Sequence, residues 1–399
     1  MFDPSSDIQD FLVFGEFGDV NPSITDSSTY TFMSSDKMKE LLEHEIEGCF
    51  IYSRHWNPTN KYFARALAAL EDSESAQVTA SGMAAISCSI LQLCQSGDEI
   101  ISGRTVYGGT YALLKNFLPR FGIQTRFVNL QDLQAVKSAI TERTKIIYCE
   151  SVSNPLLEVA DLPALAALAK EHGLKLVVDN TFSPMIISPL RLGADVVVHS
   201  LTKFINGTSD CLAGCVCSST DFINQLTDIS TGASLMLGPV LDSMRAASIL
   251  KNLHSLHIRI KQHSANASYL AEHLQELGCQ VYYPGLPSHP QHALMKRIMN
   301  PGFGFGGMMA LDAGDEEKAG RLMTLMQEEK VGYLAVSLGY FKTLFSSPGN
   351  STSSEIPPEE RAQIGLSSGL VRLSVGLDNN IERSFERIKR CLRRLELVS

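Results

Sequence analysis

Between residues 99 and 199 the chain repeats one pattern, a short apolar run rich in β-branched residues followed by a segment with helical or turn character. The apolar runs fall at 99–101, 125–129, 145–149, 174–179 and 194–199, and helical spacing recurs at 131–139 and 162–172. Gly173 stands where a helix would end in a left-handed residue. Strands that alternate with helices require right-handed crossovers, so this stretch predicts an α/β fold: a mainly parallel sheet with helices on both faces. Helical periodicity also marks 64–70 and 83–93, and a charged helical pattern covers 38–47. A long helix is expected over about 237–274. Strands near 280–283 and 308–312, with a closing helix from Ile381, predict a smaller C-terminal α/β domain. The Ser- and Pro-rich stretch 345–359 predicts a loop near the site. The 399 residues exceed one small core, and the expected division is an N-terminal arm over 1–48, a main domain over 49–250 and a C-terminal domain over 251–399.

Composition excludes several classes. At 44% hydrophobic and 19% charged, the chain is an ordinary globular one, and its net charge of −9 argues against broad nucleic-acid binding. No run approaches 18 apolar residues, and Met1–Asp7 lacks a basic segment before an apolar one, so neither a membrane span nor a secretory signal is expected. Nine cysteines, an odd number set in apolar segments, suit reduced thiols in a cytoplasmic protein. Cys211, Cys215 and Cys217 lack the second ligand pair of a zinc site, and the last two alternate as in a strand; packing is expected, with no metal. Gly302, Gly304 and Gly307 satisfy a dinucleotide-binding spacing, but a strand-like run follows them where that motif needs a helix.

Ligands of open α/β sheets sit beyond the carboxyl ends of the strands, which here means 150–154, 179–181 and 200–203. Lys203 directly follows an apolar run, and desolvation frees such an amine as a nucleophile. Taken singly it also fits a lysine reaching to solvent. Asp179 ends another apolar run, where a carboxylate is costly unless paired; a protonated pyridine nitrogen is such a partner, and an Asx turn is the alternative. Ser81, Gly82 and Met83 open a helix whose N–H groups can hold an anion, with Ser200 and Thr202 adding hydroxyls, although Ser81 also fits a simple cap. Tyr107 lies in a loop where a planar ring could stack on it. Tyr52 and Arg54 place a phenol and a guanidinium in one turn, suited to phosphate. Arg372 lies in an apolar strand and needs an anionic partner such as a substrate carboxylate.

Together, Tyr52–Thr59, Ser81–Met83, Tyr107–Thr110, Val178–Thr181, Ser200–Lys203 and Val371–Gly376 resemble the Cys/Met-metabolism family of pyridoxal-phosphate enzymes, in order and spacing, from about Ser28 onward. Within it, Tyr283–Gly285, His289–His292 and Ser351–Glu355 are most similar to plant-type methionine γ-lyases. The resemblance implies an aspartate-aminotransferase-like fold, pyridoxal 5′-phosphate as cofactor, and a homotetramer built from two tight dimers whose N-terminal arms contact the neighbour. It assigns Lys203 as the lysine that binds the cofactor and shuttles protons, Asp179 to the ring nitrogen, and Tyr107 to stacking. It gives Gly82, Met83, Ser200 and Thr202 to the phosphate, reached by Tyr52 and Arg54 from the neighbour, and Asn154 to the ring hydroxyl. Arg372 with Ser337 would bind the substrate carboxylate, and Tyr52 would protonate a leaving sulfur. The implied reaction is γ-elimination of L-methionine or a related sulfur amino acid. The alternatives are γ-replacement, as in cystathionine γ-synthases or O-acylhomoserine sulfhydrylases, and cystathionine γ-lysis. Thr208, Gly109 and Lys342 depart from common family residues. Lys342 replaces a frequent Glu near the expected position of the substrate's distal end, which disfavours a cationic distal group.

Overall fold

The structure is a computed structural model that describes residues 2–11, 18–43, 46, 48–351 and 356–398. Seven strands form the larger sheet: β1 (Ser75–Thr79), β2 (Glu99–Gly103), β3 (Gln124–Val128), β4 (Thr144–Glu150), β5 (Lys175–Asp179), β6 (Val196–Ser200) and β7 (Gly214–Ser218). Their spatial order is β1-β7-β6-β5-β4-β2-β3. Strands β2 to β6 run parallel, while β7 is antiparallel to both β6 and β1. The reason lies in the connection. Residues 201–213 form turns without a crossover helix, so the chain returns directly beside β6. Helix Gly82–Leu93 packs on β6 and β7, Leu162–Glu171 on β4 and β5, and Pro58–Glu71 on β1 and β7. The last of these starts with Asn57, which accepts the Thr59 N–H, and with Pro58 in the first turn, both favourable at a helix start.

Five strands form the smaller sheet: β8 (Gln280–Tyr282), β9 (Met308–Asp312), β10 (Gly332–Leu334), β11 (Thr343–Ser346) and β12 (Leu370–Ser374), ordered β10-β11-β12-β9-β8. Its core joins Met309, Leu311 and Leu373 to Ala267, Leu270 and Leu274 of helix Leu256–Glu276. Helix Ile381–Arg394 adds Ile381, Phe385, Ile388 and Leu392, a stripe at helical spacing. The expected division at residue 250 falls inside helix Ser243–Leu253.

Two expectations are corrected. The long helix over 237–274 is three: Ala233–Leu237, Ser243–Leu253 and Leu256–Glu276. Gly238, at φ +67°, ends the first, and Asp242 starts the second by accepting the Met244 and Arg245 N–H groups. At the second break the Asn252 carbonyl accepts the Ser255 N–H and hydroxyl and the Arg259 guanidinium, in place of the N–H four residues on that a continuous helix would supply. The segment 345–359 is not one loop. It begins inside β11, continues through a short turn at Pro348–Asn350 and reaches helix Pro358–Gln363; 352–355 lie outside the described residues. The charged pattern at 38–47 is a helix over Ser35–Glu43, and part of its expected end also lies outside them.

The glycines at 302–307 serve packing. A Cβ on Gly304 would lie 2.6 Å from Ser264 Cβ, and one on Gly307 would lie 2.8 Å from His263 Cβ. The run therefore lies tight against helix Leu256–Glu276 and leads into β9. Cys215 and Cys217 are buried in β7, with the Cys217 thiol 3.7 Å from the Leu67 carbonyl. Among the described residues, no helix is long and apolar enough to cross a membrane.

Candidate active site

The carboxyl ends of β4, β5 and β6 lie side by side, with Glu150 opposite Asp179 and Asp179 opposite Val198. Beyond them opens a cavity of about 210 Å³. Ser81, Gly82 and Met83 form one wall, where a helix start is pressed against two strands. A Cβ on Gly82 would lie 2.7 Å from Ser200 Cβ, and one on Gly214 would lie 2.3 Å from the Ser81 carbonyl oxygen. Only glycine permits that approach. Ser81 Oγ accepts the Ala84 N–H, whereas the N–H groups of Gly82 and Met83, in the first turn, have no helical acceptor. With the hydroxyls of Ser200 and Thr202 they make a cradle for an anion at the positive end of the helix dipole. Thr202 Oγ1 is held by the Ala213 N–H at 3.1 Å.

Lys203 follows in the turn after β6, and its Nζ donates to Ser337 Oγ at 3.3 Å. Burial, with the neighbouring Arg372 charge, pushes its amine down to about 8. Asp179 is buried, and its Oδ1 accepts the Thr181 N–H at 2.9 Å. Burial raises its pKa, so a protonated ring nitrogen placed against it would restore the ionised form. These residues fit a phosphorylated pyridine aldehyde, with an anion cradle, a buried acid for the ring nitrogen and an amine of lowered basicity.

Arg372, in β12, is 2% exposed. It donates to Asn154 Oδ1 at 3.0 Å, to Ser346 Oγ at 3.4 Å and to the Ser337 carbonyl at 3.5 Å. Burial lowers it to about 10, which leaves it cationic at neutral pH. Its hydrogen-bond acceptors are neutral oxygens, so a substrate carboxylate would supply the missing anion. Tyr107 also lines the cavity, and a Cβ on Gly109 would meet its ring at 2.5 Å, so a side chain there would displace the ring.

The fold thus brings Ser81, Gly82, Met83, Tyr107, Asn154, Asp179, Ser200, Thr202, Lys203, Ser337 and Arg372 to one cavity. Tyr52, Arg54 and Lys342 line no part of it among the described residues. Tyr52 is 45% exposed, and Arg54 donates to the Leu235 carbonyl at 3.4 Å. Lys342 Nζ lies 4.7 Å from the centroid of the Tyr333 ring. Thr208 donates to Asp210 at 2.7 Å. Sequence reasoning gave no role to Glu150, a buried wall residue. The signal was present, since Glu150 ends an apolar strand just as Asp179 does.

A model of the family described as "Cys/Met metabolism PLP-dependent enzyme" matches residues 13–385. The chain is 45% identical to a methionine gamma-lyase of Arabidopsis thaliana, over 96% of this chain and 88% of that protein. It is 39% identical to an L-methionine gamma-lyase of Fusobacterium nucleatum subsp. polymorphum, over 93% and 95% respectively. Among solved structures, a putative O-acetylhomoserine (thiol)-lyase of Campylobacter jejuni superposes with a TM-score of 0.91 at 29% identity, covering 98% of this chain and all of that one; it carries pyridoxyl-lysine monophosphate. The chain belongs to the pyridoxal-phosphate-dependent enzymes of Cys/Met metabolism, with their type I fold and their cofactor.

Proposed function

We propose that the protein is a carbon–sulfur lyase that performs γ-elimination on L-methionine or a related sulfur amino acid. Methionine and one water would give methanethiol, 2-oxobutanoate and ammonia. The observation that carries this reading is the division of the cavity wall. Its ionisable residues, Glu150, Asp179, Lys203 and Arg372, act on one another electrostatically. Ile86, Val152, Phe182, Leu212, Val336 and Leu338 make an apolar remainder. A neutral thioether suits that remainder better than a second zwitterion does, since an unpaired buried charge is costly.

The bound cofactor supplies an electron sink for the pair released when the substrate's Cα–H bond breaks. Asp179 keeps its ring nitrogen protonated. The Gly82 and Met83 amides, with Ser81, Ser200 and Thr202, would hold the phosphate, and Tyr107 and Asn154 would hold the ring. Arg372 and Ser337 grip the substrate carboxylate and so direct Cα–H towards Lys203, whose amine takes the proton and returns it along the substrate. Tyr52 of a neighbouring copy protonates the leaving sulfur, and Arg54 beside it reaches the phosphate. This arrangement belongs to a homotetramer of two tight dimers, and it is supported by the exposure of Tyr52 and Arg54. The cytoplasm is the proposed compartment, in keeping with nine cysteines that are all free.

Product identification tests the reading. Methionine should yield methanethiol and 2-oxobutanoate in equal amounts. The second reading, γ-replacement on an activated homoserine, is favoured by the structural likeness to the Campylobacter protein. Homocysteine formed from O-acetylhomoserine and sulfide, with methionine inert, would establish it instead.

A further inference from the structure

Glu150 closes β4 and looks into the cavity, yet the roles proposed above leave it without one. Its two carboxylate oxygens are both engaged by backbone. Oε1 accepts the Tyr107 N–H at 2.7 Å, and Oε2 accepts the Asn154 N–H at 2.7 Å. The donors belong to different loops. Tyr107 starts the short helix that follows β2, and Asn154 lies in the exit loop of β4 itself. Strands β2 and β4 are neighbours, so the two loops leave the sheet side by side and the carboxylate bridges them. Each loop then carries one proposed function: the Tyr107 ring faces the cavity, and the Asn154 side chain accepts a hydrogen bond from Arg372 at 3.0 Å.

We propose that Glu150 is a positioning residue that sets the stacking tyrosine and the Asn154–Arg372 anchor in register with each other, so that ring and substrate carboxylate are placed by one group. The proposal rests on the roles given above to Tyr107, Asn154 and Arg372. Three physical points support it. A carboxylate accepts two N–H bonds with full charge assistance, whereas an amide offers one carbonyl oxygen and turns an NH₂ group towards the other donor. The acid is buried beside Asp179, a position that is costly for a residue serving packing alone. Burial and the Asp179 charge push the Glu150 pKa up to about 8, while the Tyr107 and Asn154 N–H bonds and the Arg372 charge oppose them, so the bridge and the anchor together favour the ionised acid.

The test uses the holoenzyme carrying Glu150→Gln. The variant should keep the far-UV circular dichroism of the wild type. It should release pyridoxal 5′-phosphate about 10-fold faster on dilution, and should bind norleucine, an unreactive methionine analogue, about 10-fold more weakly; each is the loss of one charge-assisted hydrogen bond. The visible dichroism of the bound cofactor should fall, as expected for a ring no longer held by its stacking partner. Asn154→Ala should also weaken norleucine binding, and the double variant should bind it no worse than the weaker single one. Additive losses, or Glu150→Gln indistinguishable from wild type in both affinities, overturn the proposal. If the Gln variant does not fold, Glu150→Asp serves, because the shorter acid cannot reach both amides; wild-type affinities for cofactor and norleucine would then overturn it. Arg372→Ala is the control. Unchanged norleucine binding there would remove the anchor itself, and the proposal would fall with the role given to Arg372 whatever Glu150→Gln does.

Discussion

Lys203 has to be both buried enough to lose its proton and close enough to solvent for a cofactor to arrive. Its amine, pushed down to about 8 by burial and the Arg372 charge, is mostly protonated at pH 7 and mostly neutral at pH 9. The neutral form is the nucleophile, so capture of pyridoxal 5′-phosphate by the apoenzyme should accelerate as pH rises through 8 and then level off. Stopped-flow absorbance reads this directly, and a rate flat from pH 6 to 9 would contradict the assignment. Borohydride reduction followed by peptide mapping should find the pyridoxyl group on Lys203 alone. For Asp179→Asn, the expected result is a retained fold with turnover about 10²–10³-fold lower, as for other positioned electrostatic groups. Near-normal turnover with bound cofactor would reduce Asp179 to its turn, where it accepts the Thr181 N–H. Both residues were legible in the sequence because each puts a charge at the end of an apolar strand. Glu150 carried the same mark, but its role depends on the Tyr107 loop, 43 residues earlier in the chain, and one-dimensional spacing does not reveal such a contact.

At the scale of elements, the strand ends that bear the site rest on a polar contact behind the sheet. His199, on β6 directly before Ser200, places Nε2 2.6 Å from Glu71 Oε1 at the end of helix Pro58–Glu71. Asn180, directly after Asp179, donates to the same oxygen at 3.0 Å. Burial alone would lower the His199 pKa, but the Glu71 hydrogen bond and charge outweigh it and raise the group to about 9. Because the folded value lies above the unfolded one, the stabilisation is complete below about pH 6.5 and is lost as pH rises through 9. Thermal unfolding should therefore fall more steeply between pH 7 and 9.5 in the wild type than in Glu71→Gln. The variant itself should be about 1–3 kcal/mol less stable at pH 7. Parallel pH profiles would mean that His199 is neutral in the folded protein. Neither partner stood out in the sequence, since a histidine inside an apolar strand gives no sign of what it faces. The helices at 162–171 and 381–394 were legible from periodicity, whereas the continuous helix over 237–274 was not borne out. Periodicity persists across a break when both pieces pack on the same core, and Gly238 with Asp242 was the local signal that should have divided it.

At the scale of the whole molecule, the single chain brings together nearly all of the proposed site and leaves Tyr52 and Arg54 outside it. Both are exposed, and the surface between Leu212 and Met244 carries large apolar side chains in the open, with Leu212 69%, Leu237 59%, Met244 55% and Met236 51% exposed. Arg54 lies against this surface through the Leu235 carbonyl. Leu212 is also a wall residue of the cavity, so a partner that covered the patch would stand at the site's edge. Exposed apolar area of this kind favours association, and the proposed dimer would bury it while carrying the phenol and guanidinium of one copy to the phosphate of the other. Complementation decides the matter. Arg54→Ala chains should be inactive because they lack the trans guanidinium, and Lys203→Ala chains because they lack the amine. In a hybrid dimer one site would carry both defects and the other neither, so exchanged mixtures should recover activity, approaching a quarter of the wild-type level per chain if subunits of equal amounts mix at random: about half the dimers are hybrids and half their sites are intact. Native mass spectrometry would confirm the exchange. Confirmed hybrids with no recovered activity would place Arg54 in its own chain's site or remove it from the phosphate altogether.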